Sequence, residues 1–149
     1  MTRFEKIILS ITGGSHLSVH ALMLALPSLI PVIRNEFDVG LSTLGFVVSI
    51  SGFMFGLGAI PAGWAEKRFG GRQLLLIYQA GSSISALLVA LSGSFTMMVI
   101  GLGFMGFFCS IYHPAGLTLI SHRVKSLTRG MAIHGIFGST GSALGPILA

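Results

Sequence analysis

The sequence has very little charge. Only 9% of its 149 residues are Asp, Glu, Lys or Arg, and just four are acidic. A soluble domain carries roughly 25% charged residues, so a water-soluble globule of this composition would lack its polar coat. There is a single cysteine, Cys109, so no intrachain disulfide can form and redox compartment is not encoded. Ten-residue segments of alternating polarity are missing too, which excludes a membrane barrel. The formal net charge of +5 is confined to short segments between apolar runs, a distribution that does not fit a nucleic-acid partner.

What is present in quantity is apolar: 52% hydrophobic residues and a mean hydropathy of +0.88. Ile7–Ile33, Leu41–Trp64, Gln73–Leu91, Phe95–Ile120 and Met131–Ala149 contain no Asp, Glu, Lys or Arg. Each has about the 17–25 residues that cross a hydrocarbon core, or a little more. Backbone groups in lipid must bond within their own segment, so these runs are expected to be helices. The fold class expected is an all-α, polytopic transmembrane bundle of five spans, with the bilayer as its first partner. The first run is too long for a signal peptide, contains His16 and His20, and is followed by no small-residue cleavage site.

The basic residues alternate in a regular way. Arg3 and Lys6 precede the first run, Lys67, Arg68 and Arg72 separate the second from the third, and Arg123, Lys125 and Arg129 separate the fourth from the fifth. The other side holds Arg34 alone, with Glu36 and Asp38, and an uncharged Ser92–Ser94. The positive-inside rule places the eight basic residues, and the N-terminus, in the cytoplasm. The segment Gly63–Arg72, "GWAEKRFGGR", carries more than topology needs. Gly63 allows close helix approach, Gly70 and Gly71 permit a tight reversal, and Glu66 lies within reach of Arg68 or Arg72. The simpler reading is a topology anchor.

That segment resembles the loop 2–3 signature of the major facilitator superfamily, G-x-x-x-D-R-x-G-R-R/K. Gly63, Arg68, Gly70 and Arg72 match at the proper spacing, while Lys67 stands where the family has its acid and Gly71 replaces a base. Glu66, one residue early, is the natural substitute, and the resemblance implies a gating latch built from Gly63, Glu66, Lys67, Arg68, Gly70 and Arg72. "GSTGSALGPILA" (Gly138–Ala149) resembles the span 5 motif G-x-x-x-G-P-x-x-G frequent in antiporters. Gly141, Gly145 and Pro146 match it as a packing motif, with Ala149 in place of the last glycine. Ser15–Pro31 and Ser110–Ser121 look like the first and fourth spans of fosmidomycin-resistance-type facilitators. Many proton-coupled members carry an arginine in span 4 where this chain has Leu102, so an arginine-dependent coupling is not expected.

No acid lies inside any run, so the groups that can titrate at membrane depth are His16, His20, His113 and His134. Histidine gains and loses a proton near neutral pH, and an ionisable residue within a span is a functional-site hypothesis. His16 and His20, four apart, share a helix face. In the facilitator fold spans 1 and 4 line the central cavity, so the resemblance implies a proton or substrate pathway through His16, His20, His113, His134 and Tyr112. The alternative is neutral histidines hydrogen-bonded between helices. Ser15, Ser18, Tyr78 and Gln79 are further polar candidates, and Pro114 should loosen the helix beside His113. His-x-x-x-His also suits a metal, but no third ligand stands at a fixed offset, so neither metal nor cofactor is expected. His122 is expected to be solvated, and Gly52 and Gly56 to pack span 2 tightly.

A facilitator has twelve spans in two halves, so the chain reads as the N-terminal part of one, stopping within span 5. The expected function is a secondary transporter of a small solute in a bacterial plasma membrane. Proton coupling, export or antiport, and a C-terminal half as partner complete that expectation. The alternative is a non-transporting remnant or interaction subunit. Four scattered histidines supply too few ligands for an intramembrane metallo-hydrolase or oxidase, so an enzyme is not expected.

Overall fold

The computed structural model describes all 149 residues. The chain is all-α, with helices α1 Arg3–Phe37, α2 Leu41–Phe69, α3 Gly71–Ala90, α4 Phe95–Ser110, α5 Tyr112–Arg123 and α6 Leu127–Leu148. Three helices, α1, α2 and α3, are long and apolar enough to cross a membrane, and so is the stretch Phe95–Arg123 formed by α4 and α5. α6 has 22 residues and lies along α1.

The helices outrun the uncharged runs because charge does not end a helix; caps and backbone geometry do. α1 begins at a capping box: Thr2 Oγ1 accepts from the Glu5 N–H at 3.1 Å, and the Glu5 carboxylate accepts from the Thr2 N–H at 2.7 Å. At 1.5 Å per residue, its 35 residues reach about 50 Å, against a hydrocarbon core of roughly 30 Å. Its charged ends therefore stand outside the apolar layer. The segment expected as a loop between the second and third spans is mostly helix. α2 continues to Phe69, α3 starts at Gly71, and the reversal rests on Gly70 alone, at φ 80°, a conformation that side-chain-bearing residues avoid.

The fourth run is not one unbroken helix. Pro114 has no N–H to offer the Ser110 carbonyl, and its ring crowds that turn. The Ile111 N–H bonds the Phe108 carbonyl at 3.1 Å, one residue tighter than an α-helix, and a new helix starts at Tyr112. Tyr112 and His113 thus sit at a helix start, next to α1.

Packing departs from the water-soluble pattern on the outside. Ile60, Leu91 and Phe53 are 76%, 74% and 67% exposed, while Thr12, Ser51, Ser82, Ser85 and Ser110 are buried. Large apolar side chains also cover the outside, toward lipid; inside, small hydroxyl residues and glycines pack among a hydrophobic core that includes Val19, Leu44, Leu74 and Leu102, so close approach and hydrogen bonds add to apolar packing between helices. α1 pairs chiefly with α6, and α4 with both α2 and α3. A Cβ at Gly141 would strike the Leu17 backbone, and one at Gly145 the Ala21 backbone, so α6 lies directly on α1. Gly106 meets the Ser51 carbonyl and ties α4 to α2 in the same way. Gly52, Gly56 and Gly63 take no part in the close contacts among these six helices: none has a neighbour within 4 Å of its would-be Cβ.

Candidate functional site

On α1, Thr12, His16 and His20 follow one another at four-residue steps, so they share a face. That face meets Tyr112 and His113 at the start of α5 and His134 on α6. The rings interlock: His16 stacks on His134 with centroids 3.7 Å apart and planes 6° apart, and lies 5.3 Å from both Tyr112 and His113. His20 and His113 meet edge to face at 5.8 Å. His16 and His134 are buried, His20 and His113 half-buried.

Carbonyl oxygens only accept hydrogen bonds, and this fixes the polarity of the network. His16 Nδ1 lies 2.8 Å from the His134 carbonyl, so that nitrogen carries the proton and donates. In neutral His16 the other nitrogen, Nε2, then presents a lone pair, and His20 Nε2–H donates to it at 3.0 Å. The Tyr112 hydroxyl donates to the Thr12 carbonyl; its oxygen accepts from His134 Nδ1–H at 3.2 Å. Tyr78 from α3 donates to the Ser15 carbonyl at 3.0 Å, and Ser18 to the Gly14 carbonyl at 2.9 Å. Every assignment starts from an acceptor-only backbone atom, which has no sequence signature. A cavity of about 160 Å³ opens beside the cluster, bordered by Val19, His20, Met23, Leu24, Phe55 and His113.

The basic end is built differently. Arg68 does not turn toward Glu66: its guanidinium lies 5.8 Å from the ring centroids of both Trp64 and Phe69. Half-buried Glu66 shares a cleft of about 310 Å³ with Arg72, Gln73, His122 and Arg123, which joins the α2–α3 reversal to the end of α5. Lys67 and His122 are exposed. Nearby, Glu5 makes a contact that the local pattern does not announce. Its carboxylate also accepts the Lys125 N–H at 2.9 Å, tying the first turn of α1 to the α5–α6 turn. That bond, and then the Thr2 N–H, hold its carboxyl below the usual carboxylate range.

A helix bundle with an apolar outside, a glycine-mounted reversal with basic residues and a glycine face on α6 agree with one further finding. Residues 11–149 match the sequence profile of the Major Facilitator Superfamily. The chain belongs to this superfamily. It is 28% identical over 132 residues to the MFS-type transporter ppzB of Metarhizium majus (84% of this chain, 29% of the relative). It is 29% identical over 141 residues to the tetracenomycin C resistance and export protein of Streptomyces glaucescens (88% and 26%). With the multidrug efflux pump LfrA of Mycolicibacterium smegmatis it shares 28% over 122 residues (80% and 24%). The chain therefore spans between 24% and 29% of the length of these relatives. As a facilitator with several membrane-crossing helices, it is an integral membrane protein.

Proposed function

We propose that this chain forms the N-terminal part of a secondary active transporter that exports a small solute in exchange for protons, rather than an enzyme. The observation that carries the proposal is the polar cluster of α1, α5 and α6. Four imidazoles and a phenol stand at membrane depth where such groups are costly, and no acid accompanies them. A proton entering from the 160 Å³ cavity meets His20 first, and is shared with His16 across their 3.0 Å bond. The groups facing His20 are His16 on its own helix, and His113 on α5; Tyr112 and His134 lie behind His16. With only imidazoles as neighbours, a second proton is repelled, so the cluster takes up one charge at a time.

Export and antiport are supported by the α6 motif Gly141, Gly145, Pro146 and by matched relatives named as a resistance and export protein and an efflux pump. The basic ends of the helices support a cytoplasmic N-terminus; the bacterial plasma membrane is our proposed location. We place the gating latch in the cleft of Glu66, Arg72 and Arg123, with Gly70 on its wall, and Gly63, Lys67 and Arg68 on the adjoining end of α2. Alternating access needs a second half rocking against this one, which makes a C-terminal half the required partner.

The test is flux driven by a pH gradient into liposomes holding the full-length protein, against a panel of anionic and drug-like solutes. His20→Gln should lower coupled flux at least about tenfold and flatten its pH dependence; unchanged proton dependence removes His20 from the coupling role. A second reading, a non-transporting interaction subunit, is favoured by Lys67, Gly71 and Leu102 and by Arg68 lying on aromatic rings. Normal assembly with no flux for any solute would select it.

A further inference from the structure

We propose that His16, His20 and His113 form a binding site for a divalent transition-metal ion of the zinc class. The local spacing supplies two imidazoles and no third ligand. The fold supplies the third, because the break at Ile111 sets His113 on the first turn of α5, against α1. One ring nitrogen from each of the three histidines lies within 4.8 Å of the others. Around tetrahedral zinc, with Zn–N near 2.0–2.1 Å, ligand nitrogens stand about 3.4 Å apart. The His16–His20 pair, at 3.0 Å, is already close to that separation, and a small side-chain movement of His113 completes the triangle.

Three further features suit a metal. His16 donates Nδ1–H to the His134 carbonyl at 2.8 Å; this is the outer-shell bond that fixes the tautomer of a metal-binding histidine and aims its Nε2 lone pair. To ligate, His20 moves its single proton from Nε2, where it bonds His16, to Nδ1, so the ring stays neutral and no charge is created. The cavity of about 160 Å³ beside His20 and His113 leaves room for a water or a small anion in a fourth position, with the Met23 thioether on its wall. Neutral imidazoles without carboxylates favour zinc, cobalt, nickel or copper over magnesium or calcium. Such an ion joins α1 to α5, and protons compete with it for the same lone pairs.

The inference does not rest on proton-coupled transport, and its test reads no flux. Full-length protein without a polyhistidine tag, purified in detergent and treated with chelator, is titrated with Co²⁺ and followed by visible absorption. One equivalent should bind with the intense bands of four-coordinate cobalt, and Zn²⁺ should displace it. His113→Gln and His20→Gln should each weaken binding by about 100-fold or more, while His122→Gln, altering an exposed histidine, should leave it unchanged. Two variants guard against misfolding of either, with gel-filtration profile as the check. Weak six-coordinate cobalt bands in the wild type, or wild-type affinity in a folded His113→Gln or His20→Gln protein, overturn the proposal and mean an adventitious ion only.

Discussion

The histidine cluster and the basic end of the bundle are both polar, yet they are held in opposite ways. In the cluster, four of the five side chains have a hydrogen-bond partner and three bonds end on backbone atoms or rings of another helix. At the basic end, Arg68 rests on aromatic faces and Lys67 is exposed. The difference follows from the solvent. Within lipid an unpaired polar group is expensive, so groups there are pinned to neighbours. At the interface water satisfies them, and charges stay free to change partners. One region is suited to hold a geometry and the other to switch.

Replacing Gly141 breaks that contrast most severely. A leucine there drives its Cβ into the Leu17 backbone, which no rotamer change relieves, and separates the helices carrying His16 and His134. We expect a loss on the order of 3 kcal/mol, read as collapse of the monodisperse gel-filtration peak. Gly135→Ala, on a face with no neighbour within 4 Å, should leave that peak intact. Equal damage from both would mean that α6 does not pack on α1 through this face.

Tyr112→Phe sharpens the contrast at intermediate cost. It keeps the ring and deletes the hydroxyl that joins the Thr12 carbonyl to His134 Nδ1. A loss of about 1 kcal/mol in thermal stability is expected, within the range of interhelical hydrogen bonds in membranes. A larger pH effect on flux than on stability should accompany it. No change in either would mean that the phenol only fills space.

Glu5→Gln should have the smallest effect, and one that depends on pH. The carboxyl of Glu5 is lowered in the folded chain by the Lys125 and Thr2 N–H groups. Its stabilisation is therefore fully present above the ordinary glutamate value, and is lost as pH falls through the lower, folded value. The wild type should lose stability along that acid limb, and the variant should show a flatter one. Parallel stability curves would remove Glu5 from the α5–α6 tie.

Much of the fold could be read along the chain because lipid imposes it: apolar stretches of spanning length have to be helices. The reversal at Gly70 was legible for a similar reason, as a glycine marks backbone that other residues avoid. Glycines elsewhere were ambiguous. Gly52 and Gly56 have the same four-residue spacing as Gly141 and Gly145, but only the second pair meets a neighbour, and spacing does not say what a face meets. Within the candidate site, the meeting of His16 with His20 was written in their i, i+4 spacing. The family resemblance, not the local spacing, put His113 and His134 in one pathway with them; the ring contacts themselves carry no local signal, since each partner lies about a hundred residues away and arrives through packing. The carbonyls of Thr12 and His134, which orient the rings, belong to the main chain and carry no residue-type signal.

Glu5 has a practical consequence for anyone handling this molecule. One anion closes the beginning of the polypeptide onto a turn far along it, the turn that launches the helix bearing His134. A tag fused ahead of Thr2 that competes for this carboxylate would be felt at that distant turn.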